Sequence, residues 1–108
     1  MFQLEPNPTF TTPVAIPLPG GETATIDFTF AHMGRKSLQE FLAAVKDLPD
    51  GEAIRKIVTG WNGVAGSDGE QLRCTADNIV ALVDGYHGAA LAILQTYIRE
   101  LTGQRVKN

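Results

Sequence analysis

The stretch from Ile57 to Tyr86, IVTGWNGVAGSDGEQLRCTADNIVALVDGY, decides how this chain is read. It holds the sole tryptophan, Trp61, and the sole cysteine, Cys74. Ile57, Val58 and Trp61 continue an apolar face begun at Ile54 at helical spacing, which predicts a helix from about Asp50 onward. Gly60 then stands where a helix-closing residue of positive φ belongs. Gly63, Gly66 and Gly69 break the chain into a loop, and Asp68-Gly69 is a turn signal. Thr75 is a good N-cap for the next helix, with Asp77 in the first turn where the helix dipole favours negative charge.

On the carboxyl side, Ile79, Leu82, Val83 and Tyr86 mark one helix face. Gly85 and Gly88 interrupt the chain. A last helix is predicted over about 88–102, with Ala90, Ile93, Leu94, Tyr97, Ile98 and Leu101 on its apolar side and Gly103 as its stop. Residues 104–108 read as a polar tail.

On the amino side, Ser37-Leu-Gln-Glu40 reads as a capping box opening a helix over about 37–47, with Leu38, Phe41, Leu42 and Val45 on one face. Asp50 is placed to cap the helix after Pro49. Before these come two runs of period two. Val14, Ile16 and Leu18 alternate with Pro13, Ala15, Pro17 and Pro19; Ala24, Ile26, Phe28 and Phe30 alternate with Thr25, Asp27 and Thr29. Pro19-Gly20-Gly21 joins them, so an antiparallel hairpin is expected over about 10–30. Residues 1–9 read as a loose lead-in.

The prolines carry one more inference. Pro13, Pro17 and Pro19 are all odd-numbered, so their missing donors fall on one edge of the first strand and blunt it. The second strand keeps a proline-free outer edge. Thr25, Asp27 and Thr29 on that strand are therefore candidates for strand addition by a partner or a second copy. A hairpin is marginal alone and must bury its apolar face on the helices. The expected fold is α+β: an amino-terminal antiparallel hairpin packed on a small bundle of about four helices, in a single domain of 108 residues. Trp61 is expected to be largely buried between the second helix and the Ile26–Phe28 face.

Composition narrows the function classes. The chain is 44% hydrophobic and 19% charged, ordinary for a globular protein. The formal net charge of -3 gives no general attraction to nucleic acid or anionic lipid. Residues 1–54 are the more acidic half, and residues 55–108 are mildly basic. No apolar run approaches the roughly 20 residues of a membrane helix, and the amino terminus lacks the features of a signal peptide. One cysteine makes no internal disulfide and fits a reducing compartment.

Chemical motifs are weak. Cys74 with His32 or His87 would make a nucleophile and base, but a lone cysteine at a helix start reads first as a packing residue. Two histidines without further ligands make no metal site. The glycines of 60–69 lack the lysine of a phosphate loop, and Ser67-Asp-Gly-Glu70 has too few carboxylates for a calcium loop. No cofactor and no catalytic residue is expected. Trp61, Tyr86 and Tyr97 read as core, although tyrosine hydroxyls suit an interface rim.

Several of these residues together resemble the phage tail assembly chaperones. The resemblance lies in Trp61-Asn-Gly63-Val64, then Asp68-Gly69-Glu70, then Thr75 opening a helix, and further in Tyr86, Ala89-Ala90, Tyr97 and the closing Arg105-Val-Lys107-Asn108. It covers about residues 37–108 well and the hairpin more loosely. Cys74 departs from the bulky apolar or aromatic residue more usual there. The resemblance implies a non-catalytic protein of the host cytoplasm, absent from the mature virion. Such a protein binds the phage tape measure protein and keeps its helices soluble during tail tube assembly. It further implies homo-oligomers and a longer frameshifted form as partners. Lys107-Asn108, encodable over an A-rich run, is the expected slip point. Tyr97 and Tyr86 are the expected partner contacts, with Trp61, Gly63, Asp68, Gly69 and Thr75 shaping the scaffold. Two alternatives stand beside this reading: a small structural tail or head–tail joining protein retained in the virion, and a small enzyme using Cys74.

Overall fold

The computed structural model describes residues 1, 2, 4 and 8–103; residues 3 and 5–7 of the lead-in and the polar tail at 104–108 lie outside the described residues. The alternating runs form strands β1 (Thr9–Pro17) and β2 (Thr23–Ala31), paired antiparallel with Val14 opposite Ile26 and Pro13 opposite Asp27. Even-numbered residues Thr12, Val14, Ile16, Ile26, Phe28 and Phe30 are buried, and most odd-numbered ones are exposed. The turn is closed by the Leu18 amide donating to the Glu22 carbonyl at 2.7 Å. Gly20 and Gly21 both take φ near +90°, at 93° and 92°, which L side chains rarely adopt.

The direction of the backbone groups follows from parity. The Ala31 amide donates to Ile57 on one side, and the His32 amide donates to Pro8 on the other, both at 2.8 Å. Odd amides of β2 thus face away from β1 and even amides face it. On β1 the even residues pair inward, so Pro13 and Pro17 remove donors only from the outer edge.

The edge of β2 that was free in sequence is occupied from within the chain. Val58–Asn62 is a strand, β3, not the end of a helix, and the sheet runs β1-β2-β3 with all neighbours antiparallel. Asn62 lies opposite Asp27, Trp61 opposite Phe28, and Gly60 opposite Thr29, with a bulge where Phe30 meets Val58. Thr59 is the extra residue, and its hydroxyl donates to the Thr29 carbonyl at 3.2 Å. The helix expected here is cut to α2 (Asp50–Arg55), with Pro49 as N-cap and Asp50 inside the first turn. The spacing of Ile54, Ile57, Val58 and Trp61 fits a helix, yet the unpaired amides of β2 gain more from a strand partner than six residues gain from another helical turn. Positive φ falls on Gly63 (102°) and Gly69 (82°) rather than on Gly60.

The first helix, α1 (Arg35–Val45), also starts earlier than its capping box. Leu38 donates its amide to Gly34, the N-cap, so Ser37 lies inside the helix and caps nothing. The apolar face holds: Phe41 is buried, with Leu38, Leu42 and Val45 packed on the core. The last two helices follow the sequence closely. In α3 (Ala76–Gly85), Thr75 Oγ1 accepts from the Asn78 amide at 3.2 Å, and Asp77 lies in the first turn. In α4 (Ala89–Thr102), Gly103 closes the helix at φ 74°. Between α3 and α4 the chain turns through 113°. No single helix among the described residues is long and apolar enough to cross a membrane.

The helices cover one face of the sheet. Val14, Ile16, Ile26, Phe28 and Phe30 meet Phe41, Ile54, Ile57, Ile79, Ala89, Ile93 and Tyr97 in one apolar cluster. This is the expected α+β architecture, with a three-stranded sheet in place of a bare hairpin.

Candidate interaction surface

Trp61 reaches its place as a strand residue. It is half-buried on β3, and its indole ring meets Phe28 edge-on at 6.3 Å between centroids. Its Nε1 donates to the Leu72 carbonyl at 2.9 Å, tying the glycine-rich loop to the sheet. That loop is a small hairpin of its own. The Leu72 amide donates to Val64 at 2.8 Å, Gly66 to Glu70 at 2.9 Å, and Asp68 Oδ1 accepts from the Glu70 amide at 3.0 Å. Gly69 supplies the positive φ this turn needs. Gly63 sits beside the Thr25 carbonyl as the chain leaves β3. Trp61, Gly63, Asp68, Gly69 and Thr75 therefore come together through one loop and the helix it feeds.

Tyr97 is enclosed rather than presented. It has 0% exposure, stacks on Phe10 at 5.9 Å, meets the tilted ring of Phe30 at 5.0 Å, and donates its hydroxyl to the Ala31 carbonyl at 2.8 Å. Burial pushes its phenol up to about 12. As a partner contact it is corrected by this packing: the apolar face of α4 is turned wholly inward at this residue. Strand addition along β2 is corrected in the same way. Asp27 and Thr29 lend their outward backbone groups to β3, and Thr29 Oγ1 bonds Thr11 Oγ1 at 2.9 Å. Thr25 is exposed at the end of that pairing.

Tyr86 is different. At 38% exposure it stands at the corner between α3 and α4, not on a core face. Val80 on α3 at 39% and Leu91 on α4 at 61% are exposed as well. Periodicity missed both, because a polar-face leucine reads as incidental until the neighbouring helices are placed. Beside them run shallow open grooves. One, of about 520 Å³, lies between α2 and α3 and is lined by Asp50, Glu52, Val80, Val83, Asp84 and His87 among others. Another, of about 250 Å³, lies where the β1–β2 turn meets Tyr86. Gly88 makes that second meeting tight, since a Cβ there would stand 2.9 Å from Pro17 Cγ.

Cys74 is half-buried, and burial raises its thiol above the usual range, which disfavours the nucleophilic thiolate. Among the described residues no group of three or more His, Cys, Asp or Glu side chains is placed to hold a metal ion.

These features define a small α+β protein with exposed apolar side chains beside open grooves. Compared with known proteins, the chain matches the phage tail assembly chaperone family over residues 1–108. It belongs to that family. No curated protein and no solved structure matches it.

Proposed function

We propose that this protein is a non-catalytic chaperone of the host cytoplasm. It binds the tape measure protein of a long-tailed phage, keeps it soluble while the tail tube assembles, and leaves before the virion is complete. The family match over residues 1–108 carries the reading. The exposed Val80, Tyr86 and Leu91 beside open grooves support it, because shielding apolar helices requires apolar surface. Homo-oligomers and a longer frameshifted form are further partners on the same reading.

Co-expression tests it. The tape measure protein should gain soluble yield and co-purify with this chain, and mass spectrometry of purified virions should find the chain missing. Retention in the virion would favour the structural tail protein instead. Synonymous recoding of Lys107 tests the longer form separately: its loss on recoding is expected, and its persistence would remove that partner.

A further inference from the structure

We propose that the groove over α2, α3 and the start of α4 takes an amphipathic helix whose apolar anchors are flanked by lysine or arginine. The proposal rests on the functional reading above in taking the partner to be a helical tail protein; the surface and its charge preference come from the geometry.

The groove between α2 and α3 continues into one of about 170 Å³ between α2 and α4, and the two share Asp50 and His87. Val80 and Leu91 project along this path at 39% and 61% exposure, as anchors for an apolar stripe. Leu94 lines the second part and is only partly buried. A helix laid there would cover both leucines and Val80 at once, which is the helix-in-groove mode of recognition.

Charge decides which helix. Asp50, Glu52 and Asp84 line the path, and among the described residues no lysine or arginine does. Arg55 pairs with Glu52 at 3.3 Å, while Asp50 and Asp84 have no ion pair among the described residues. A cationic rim on the partner would meet these carboxylates, and an anionic one would be repelled. A second copy fits poorly. The exposed anchors of this chain's own α3 and α4 are accompanied on those helices by a single cation, Arg99.

Fluorescence anisotropy of the full chain with labelled synthetic helices of about 18 residues tests this. The probes are a leucine/lysine amphipathic peptide, its leucine/glutamate counterpart, and a version with serine for leucine. The leucine/lysine peptide should bind best. Leu91→Lys with Val80→Lys, and separately Asp50→Lys with Asp84→Lys, should each weaken it about tenfold or more, while Gln39→Lys on α1 leaves it unchanged. Circular dichroism and Trp61 fluorescence check the fold, and Leu91→Gln serves should the lysine pair fail to fold. Equal binding of the glutamate peptide, or full binding by both charge and anchor variants, would overturn the proposal. So would a drop in mass by light scattering on Leu91→Lys, which would make the occupant a second copy. Co-expression separates the two levels. Rescue of the tape measure protein by the anchor variants as well as by wild type would overturn the groove and leave the function standing. Peptide binding without any rescue would do the reverse.

Discussion

The hydroxyl of Tyr97 on the last helix donates to the carbonyl of Ala31 at the end of β2, 2.8 Å away and 66 residues back in sequence. It ties the last helix to β2 at a residue that lies opposite Thr9 of β1 and just beyond the last β2–β3 pair, Phe30 with Val58. Tyr97→Phe keeps the ring contacts and leaves that carbonyl without its donor, so stability should fall by about 1–3 kcal/mol in urea unfolding.

The same phenol gives a pH signature. Its folded value lies near 12, above the ordinary 10.0, so the neutral form is favoured by folding. Its contribution is complete below pH 10, declines as pH rises from 10 toward 12, and levels off above that. Melting temperatures of wild type should fall more steeply across this window than those of Tyr97→Phe. Parallel curves would place the loss on other groups.

Trp61 ties a loop to a sheet, and its removal should register in both. Half-buried, it should cost less than the 3–5 kcal/mol of an enclosed aromatic: about 2–3 kcal/mol for Trp61→Ala. Trp61→Phe retains the edge contact with Phe28 and loses the bond to Leu72, so amide exchange should quicken in residues 63–72 before it does in β2. Uniform quickening would mean the loop is held by other contacts.

At Gly88 the start of α4 approaches β1 too closely for a side chain. Gly88→Ala sets a methyl against the Pro17 ring and should destabilise by about 1–3 kcal/mol. In a Pro17→Ala background the cost should shrink, because the 2.9 Å neighbour, Cγ, is gone. Additive costs in the double-mutant cycle would show that the crowding is relieved elsewhere.

The outer edge of β1 is guarded by its prolines. Pro13→Thr restores an outward donor between those of Thr11 and Ala15 and should raise the mass seen by light scattering. Adding Ala15→Pro reopens the gap on the same edge and should bring the mass back down. An unchanged mass in Pro13→Thr would mean this edge is protected by something other than its missing donors.

Much of this could be read directly from the chain. The alternation at 14–30, the Gly20-Gly21 turn, the Thr75 cap, the Gly103 stop and the parity of the prolines are local: each depends on residues within a turn or a strand of one another. The Trp-Gly-Val and Asp-Gly motifs pointed to the family by the same local means. What local pattern left open was anything requiring two distant segments to compete. The bare edge of β2 was visible in sequence, but its occupant was not, since Ile54, Ile57, Val58 and Trp61 satisfy a helical spacing as well as a short buried strand. Pairing settled it: the odd amides of β2 needed acceptors, and residues 58–62 were carried beside them by α2. Burial of Tyr97 was of the same kind. Amphipathicity marked its face as apolar, but only the packing of α4 against β1 and β2 decided that Tyr97 would be enclosed completely while Val80, Tyr86 and Leu91 were left in solvent. The sequence alone determined the hairpin, the last two helices and the blunted edge of β1; the tertiary structure decided that residues 58–62 pair as a strand and which surfaces the elements used on one another, because pairing and burial are properties of two surfaces at once.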